Sequence, residues 1–126
     1  MRTINKPWGK EELLEVNKKY VVKKLYVKYK KRLSNQYHEF KTETLVCMRG
    51  KIIVEVTQPD PTKWYRGLLD YKKEVILKPG DYLHLKPYKI HRIIGKSFRT
   101  AVILEASTPE LNDVVRLEDD HGRVKR

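Results

Sequence analysis

The sequence predicts an all-β fold, a sandwich or barrel, and three observations carry that expectation. Apolar residues recur with a period near two in short clusters rich in Val, Ile, Leu and Tyr. Gly and Pro turns separate those clusters at a spacing of roughly 8–12 residues. Helical spacing is confined to two short stretches, residues 10–17 and 109–117.

Taken in order, residues 10–17 hold Leu13, Leu14 and Val16, a spacing that fits a short helix or a short amphipathic strand. Residues 20–28 read as a strand, β-branched and aromatic with lysines interspersed. Two apolar runs, 45–48 and 52–56, meet at Arg49-Gly50-Lys51, which is a hairpin signal. Residues 58–71 form one long surface connection, with Trp64 and Tyr65 expected to cover the barrel. A strand at 74–77 ends in the turn Lys78-Pro79-Gly80-Asp81, and another at 82–85 is interrupted by Lys86-Pro87. Strands at 90–94 and 99–106 follow, parted by Gly95. Leu111, Val114 and Val115 then suggest one helical turn, with Thr108 as its N-cap and Pro109 in the first turn.

A chain of 126 residues is expected to be one domain, 1–126, and its 40% hydrophobic content supplies a core. The lone Cys47 excludes a disulfide framework or a Cys-rich zinc module and fits a reducing compartment. No run of about 18 apolar residues is present, so no membrane partner is expected. The first eight residues have charge but no apolar stretch after them, so the expected location is cytoplasmic. The net charge is +12, and residues 1–33 hold 11 lysines and arginines against Glu11, Glu12 and Glu15. A solvated lysine face explains most of this, with attraction of anionic substrates next. Nucleic acid is not an expected partner, because no helix-turn-helix, RNP-like or KH-like pattern accompanies the charge.

The chemistry gathers in Gln36-Tyr37-His38-Glu39-Phe40-Lys41-Thr42-Glu43. On an extended strand Gln36 and His38 project from one face. Glu43 lies five residues beyond His38, an odd offset that needs a bend or bulge to reach the same face. His91 stands in a later strand. Two imidazoles, a carboxylate and an amide oxygen form a mixed N/O donor set suited to Zn²⁺, Fe²⁺, Mn²⁺, Co²⁺ or Ni²⁺. By spacing alone the signal is weak, and a surface His38 with a hydrogen-bonded core His91 explains the residues better.

At these positions the chain resembles the cupin superfamily. Gln36-x-His38-x4-Glu43-x6-Gly50 has the spacing of the first cupin metal motif, with Gln for its first His, and His91 falls where the second motif's histidine belongs. The branch it resembles is the small cupins similar to the C-terminal domain of type II mannose-6-phosphate isomerases. Lys6-Pro7-Trp8-Gly9, Leu33-Ser34-Asn35-Gln36-Tyr37-His38 and the segment from Asp113 to Arg123 carry that likeness in order along the chain. Departures are Lys30 for the usual Gly, Lys86 and Tyr88 for Pro and Gly, Gly95 for Asn, and Phe40 for a histidine.

The resemblance implies a double-stranded β-helix (jelly-roll) barrel with the short C-terminal helical turn, one metal in its cavity, and a homodimer. It implies Gln36, His38, Glu43 and His91 as ligands of a divalent metal, zinc first. The implied activity is aldose–ketose isomerisation of a sugar phosphate through an enediol. Glu105 and His84 are the candidate proton carriers; a surface carboxylate and a packed core histidine are the plainer alternatives. Arg116 matches a tail arginine that helps catalysis or holds substrate, or else it pairs with Glu118 or Asp119. Lys23, Arg92 and Arg123 are further phosphate contacts. Other classes on the same barrel are a non-catalytic sugar or sugar-phosphate binder, a metal-dependent oxygenase and a sugar-nucleotide epimerase.

Overall fold

A computed structural model of the chain describes residues 2–58 and 71–124. The connection expected to carry Trp64 and Tyr65 lies outside the described residues. The strands run β1 (Arg2–Lys6), β2 (Gly9–Val16), β3 (Val21–Val27), β4 (Asn35–Tyr37), β5 (Glu43–Arg49) and β6 (Ile52–Gln58). They continue as β7 (Tyr71–Leu77), β8 (Tyr82–Leu85), β9 (His91–Gly95), β10 (Ala101–Ser107) and β11 (Val115–Glu118). One sheet has the order β1-β2-β3-β10-β5-β8 and the other β11-β4-β9-β6-β7, antiparallel throughout. Among the described residues no helix is long and apolar enough to cross a membrane.

The turn at Arg49-Gly50-Lys51 is present, with Gly50 at φ 75, but it does not close a hairpin. β5 pairs with β10 and β8, whereas β6 pairs with β7 and β9, so the chain passes there from one sheet to the other. The links β7–β8, β8–β9 and β9–β10 cross in the same way. Repeated crossing is what wraps two sheets into a jelly roll.

Of the two stretches with helical spacing, the first takes its strand alternative and the second is corrected. Residues 10–16 lie in β2, which pairs with β1 and β3. The segment after Pro109 makes turns and then β11, with Val115 opposite Tyr37 and Arg116 opposite Gln36. A single helical turn carries the full cost of nucleation for few bonds. The open edge of β4 offers unpaired backbone groups to the β-branched Val114-Val115 run instead. The barrel therefore has no C-terminal helical turn.

Inward-facing positions follow the period-two pattern. Leu25, Val27, Leu45, Cys47, Val54 and Ile103 meet between the sheets with at most 2% exposure, which puts Cys47 in the apolar core. Towards one end the same inward rows turn polar: Lys23 on β3, Glu43 on β5, His91 on β9 and Glu105 on β10, all buried. Four buried charged or imidazole groups at one end of an apolar barrel are costly unless they pair or hold a ligand.

Two residues that stand in for a family glycine keep a glycine backbone. Lys30 has φ 64 and Tyr88 has φ 65. The Tyr88 N–H donates to His38 O at 2.7 Å and its ring stacks on Tyr37 at 5.7 Å. The exposed Lys30 has less support, a backbone bond to Gly95 O and a contact of its Nζ with the Tyr29 ring. A left-handed non-glycine residue costs about 1–2 kcal/mol, and glycine returns roughly half of that to the unfolded chain. Lys30→Gly is expected to stabilise the protein by about 0.5–1 kcal/mol, read as a higher denaturant midpoint with an unchanged slope.

Candidate metal centre

His38, Glu43 and His91 bring one ligand atom each within 4.8 Å of one another, and all three side chains are buried. His91 comes from β9 and His38 from the residue after β4, both on the five-stranded sheet. Glu43 opens β5 on the opposite sheet. The His38 ring holds its Nδ1 on Asp113 O at 2.5 Å, and His91 holds its Nδ1 on Lys89 O at 2.8 Å. A carbonyl can only accept, so both Nδ1 atoms carry the hydrogen and both Nε2 atoms face inward.

The two Nε2 atoms lie 3.3 and 3.1 Å from Glu43 Oε1, yet neither makes a hydrogen bond of acceptable geometry. Two buried, orphaned imidazole nitrogens converging on one carboxylate oxygen fit a divalent cation chemically. Gln36 sits beside them, opposite His91 in the β4–β9 pairing. Its side chain is half-buried and lines the inner chamber, and its Oε1 accepts a bond from Ser34 Oγ at 2.6 Å.

A line of alternating charge leads away from the cluster. Lys41 Nζ stands 3.5 Å from Glu43 Oε2 and 3.6 Å from Glu105 Oε2. Lys23 Nζ stands 3.5 Å from Glu105 Oε2 and 3.8 Å from Glu11 Oε2. Burial pushes the Glu105 carboxyl upward, as does the charge of Glu43, and the two lysines offset this only in part, so its pKa is raised. For Glu43 burial acts in the same direction, but His38, His91 and Lys41 outweigh it and hold the group well below the usual carboxylate range. Burial alone would lower Lys41; Glu105 and Glu43 more than reverse that and raise it.

Two cavities in series open beside His38 and Lys41. The inner one, about 110 Å³, is lined by Trp8, Gln36, His38, Lys41 and Glu105 among others. The outer one, about 650 Å³, is lined by Arg2, Lys6, Lys23, Arg116 and Arg123, with Glu11 opposing them. Lys23, Arg116 and Arg123 line both, so the two are one funnel. Arg123 is held by Asp119 through Nε at 2.7 Å and Nη2 at 3.1 Å. Burial of Asp119 is outweighed by those bonds, which set its pKa at about 2. With Asp119 taken, Arg116 has no carboxylate within ion-pair distance among the described residues, and its Nε is buried without a partner. Burial and the neighbouring Arg123 lower the Arg116 pKa, as expected of a guanidinium held beside another cation.

Two expected site residues are not in the funnel. His84 is exposed and bonded to Thr44 Oγ1 at 2.8 Å, because Leu83 and Leu85 alternate with it and Leu85 is the buried member. A proton carrier cannot act from that face. Arg92 is 1% exposed and its Nε and Nη2 donate to Leu33 O and Glu118 O, at 3.0 and 3.2 Å. It follows His91 on the strand and so points away from the cavity, tying the C-terminal segment to the sheet. Phe40 is likewise turned to solvent, 70% exposed.

Two further residues of the site, Lys41 and Asp113, are not among those the sequence points to. Lys41 had a signal: it stands two residues before Glu43 and so shares its direction on extended chain. Asp113 stands at the head of the tail segment that resembles the family, but nothing there marks its role. Its carboxylate accepts the N–H of Glu39, Phe40 and Lys41 at 3.0, 2.7 and 2.8 Å. Those bonds outweigh the effect of burial and hold its pKa below the ordinary value.

A two-sheet jelly roll whose polar end gathers two histidines and a glutamate from opposed sheets is a cupin. The chain belongs to the mannose-6-phosphate isomerase C-terminal family, which matches residues 1–119. It is 31% identical over 124 residues to the mannose-1-phosphate guanylyltransferase ManC of Salmonella typhimurium, covering 98% of this chain and 23% of that protein. It is 33% identical over 60 residues to the quercetin 2,3-dioxygenase of Bacillus subtilis, covering 48% of this chain and 14% of that one. The chain thus spans less than a quarter of the length of these curated relatives. An RmlC-like cupin from Shewanella frigidimarina shares the fold at TM-score 0.67 and 12% identity, covering 88% of this chain and 86% of the other.

Proposed function

We propose that the protein is a metal-dependent aldose–ketose isomerase acting on a sugar phosphate. The observation that carries the reading is the funnel: His38 and Glu105 line its inner chamber, His91 and Glu43 group with His38 behind that lining, and cations cluster at its mouth. His38, Glu43 and His91 would hold a divalent cation, zinc first and Fe, Mn, Co or Ni as alternatives, with the Gln36 oxygen as a fourth donor. Bound there, the cation would polarise a sugar carbonyl as a Lewis acid.

The remaining steps belong to side chains. Arg116 and Arg123 hold the phosphate at the mouth, Arg116 through a free guanidinium edge and Arg123 in the direction Asp119 sets. Glu105 takes the proton from C2 of the aldose and returns it to C1, by way of the enediol the two sugars share, while the hydroxyl proton passes from O2 to O1 of the sugar. Lys23 and Lys41, on either side of the Glu105 carboxylate, fix its position and favour its ionised form. The narrow inner chamber limits water near the reacting carbons. A homodimer, on family likeness, and a cytoplasmic location, on the lone Cys47, complete the reading.

The test is an isomerase assay of the cation-loaded protein against a panel of aldose and ketose phosphates, with and without a chelator. Turnover of at least one substrate, abolished by chelation, is expected. Binding without turnover identifies a sugar-phosphate binding module instead, and turnover indifferent to chelation refutes the mechanism. Arg116→Ala is expected to raise KM about 10- to 100-fold with a smaller change in kcat, since one charged hydrogen-bonding group is worth roughly 1.5–3 kcal/mol.

A further inference from the structure

Glu43 and His91 sit on regular strands. Glu43 is fixed opposite Leu85 and Ser107, and His91 opposite Gln36 and Val56. His38 has no such frame. It follows a strand of three residues and opens the bend that precedes β5. Two groups hold it: Tyr88, whose N–H donates to His38 O, and Asp113. The neighbours of Asp113, Asn112 and Val114, line the outer chamber; Asp113 itself turns the other way. Its carbonyl receives the His38 Nδ1–H, and its carboxylate collects three consecutive N–H groups of residues 39–41.

We propose that Asp113 is the positioning residue of the cation site: from a segment more than 70 residues away it builds the bend that lets His38 and Glu43 address one ion. The inference rests on the reading of His38, Glu43 and His91 as cation ligands. An offset of five places His38 and Glu43 on opposite faces of extended chain, so the bend is a requirement of joint ligation. Three N–H groups converging in a short loop need a compact anion, and a carboxylate supplies acceptor capacity for all of them. The same residue fixes the His38 tautomer through its carbonyl, so loop shape and ring orientation are set from one place. The segment is itself anchored on the same loop, since Thr108 N–H donates to Thr42 O at 3.0 Å and Thr42 N–H donates to Thr108 Oγ1 at 3.0 Å.

The test uses the full chain, Co²⁺ as probe, and the variants Asp113→Ala and Asp113→Asn. Affinity is read by competition with a chelating indicator, ligand geometry by the visible spectrum of the bound cobalt, and folding by circular dichroism of the metal-free forms. Asp113→Ala is expected to bind Co²⁺ about 10- to 100-fold more weakly, with a changed cobalt spectrum. Asp113→Asn, which keeps an acceptor oxygen on the bend, is expected to fall between it and the wild type. Unchanged affinity, or weaker binding with the wild-type spectrum, overturns the role; if the alanine variant does not fold, the asparagine variant is judged by the same two readings. A wild type that takes up no Co²⁺ overturns the cation site itself, and this role with it.

Discussion

His91→Ala is expected to abolish cation retention and, with it, isomerase turnover. His91 is held inside a strand paired on both sides, with its Nδ1 on Lys89 O. Removing even an outer partner of a ligand costs roughly 10- to 100-fold in metal affinity, so removing an imidazole should cost at least the upper end of that range. The barrel should survive, because the apolar rows of Leu25, Leu45, Val54 and Ile103 lie deeper and are untouched. The metal-free variant also loses one of the groups that compensate Glu43, which rests then on Lys41 and His38. The measurement is cation stoichiometry after dialysis, with circular dichroism alongside. A folded variant that keeps its cation at wild-type affinity would remove His91 from the site.

Strand parity explains both what was legible in the sequence and what was not. The grouping of Gln36, His38, Glu43 and His91 is implied by the resemblance to the cupin motifs, and the structure brings the last three together. His84 and Arg92 were expected in the cavity and are not. The alternation Leu83-His84-Leu85, and the adjacency of His91 and Arg92, already carry that answer: one residue of displacement reverses the face. Residues 109–117 misled for a different reason. Leu111, Val114 and Val115 have helical spacing, but the free edge of β4, eighty residues earlier, decides their conformation. Asp113 is illegible on the same ground, since its partners at 39–41 are distant in sequence and are backbone groups without side-chain identity.

The basic charge divides along the same lines. Of the pair Lys23-Lys24, Lys23 points inward between Glu11 and Glu105, while its neighbour is on the outer face of β3. Arg2, Lys6, Arg116 and Arg123 give the mouth a field that favours anions, and a narrow low-dielectric funnel focuses such a field. On the proposed function, an anionic substrate would be drawn to this mouth and not to the solvated lysines.

Glu105→Gln is expected to lower kcat by about 10²- to 10⁴-fold while leaving the cation in place. Glu105 is 5% exposed, opposite Lys23 and Leu45 in the β10 pairings, and is not among the grouped ligands. Glutamine keeps its volume and a donor–acceptor pair but cannot take a proton from carbon. Cation content and the circular dichroism spectrum should match the wild type, which separates loss of chemistry from loss of the site. The pH profile gives a second reading. A general base must be ionised, and burial together with Glu43 raises the Glu105 pKa. The wild-type kcat/KM should thus fall with decreasing pH along a limb above the ordinary glutamate range, and that limb should vanish in the variant. Exchange of the substrate C2 hydrogen with deuterated solvent should be lost in parallel, because it needs the same base and no complete turnover. A glutamine variant that turns over at the wild-type rate would assign the proton to another group, and Lys41, 3.6 Å from the same oxygen, would be the next to substitute.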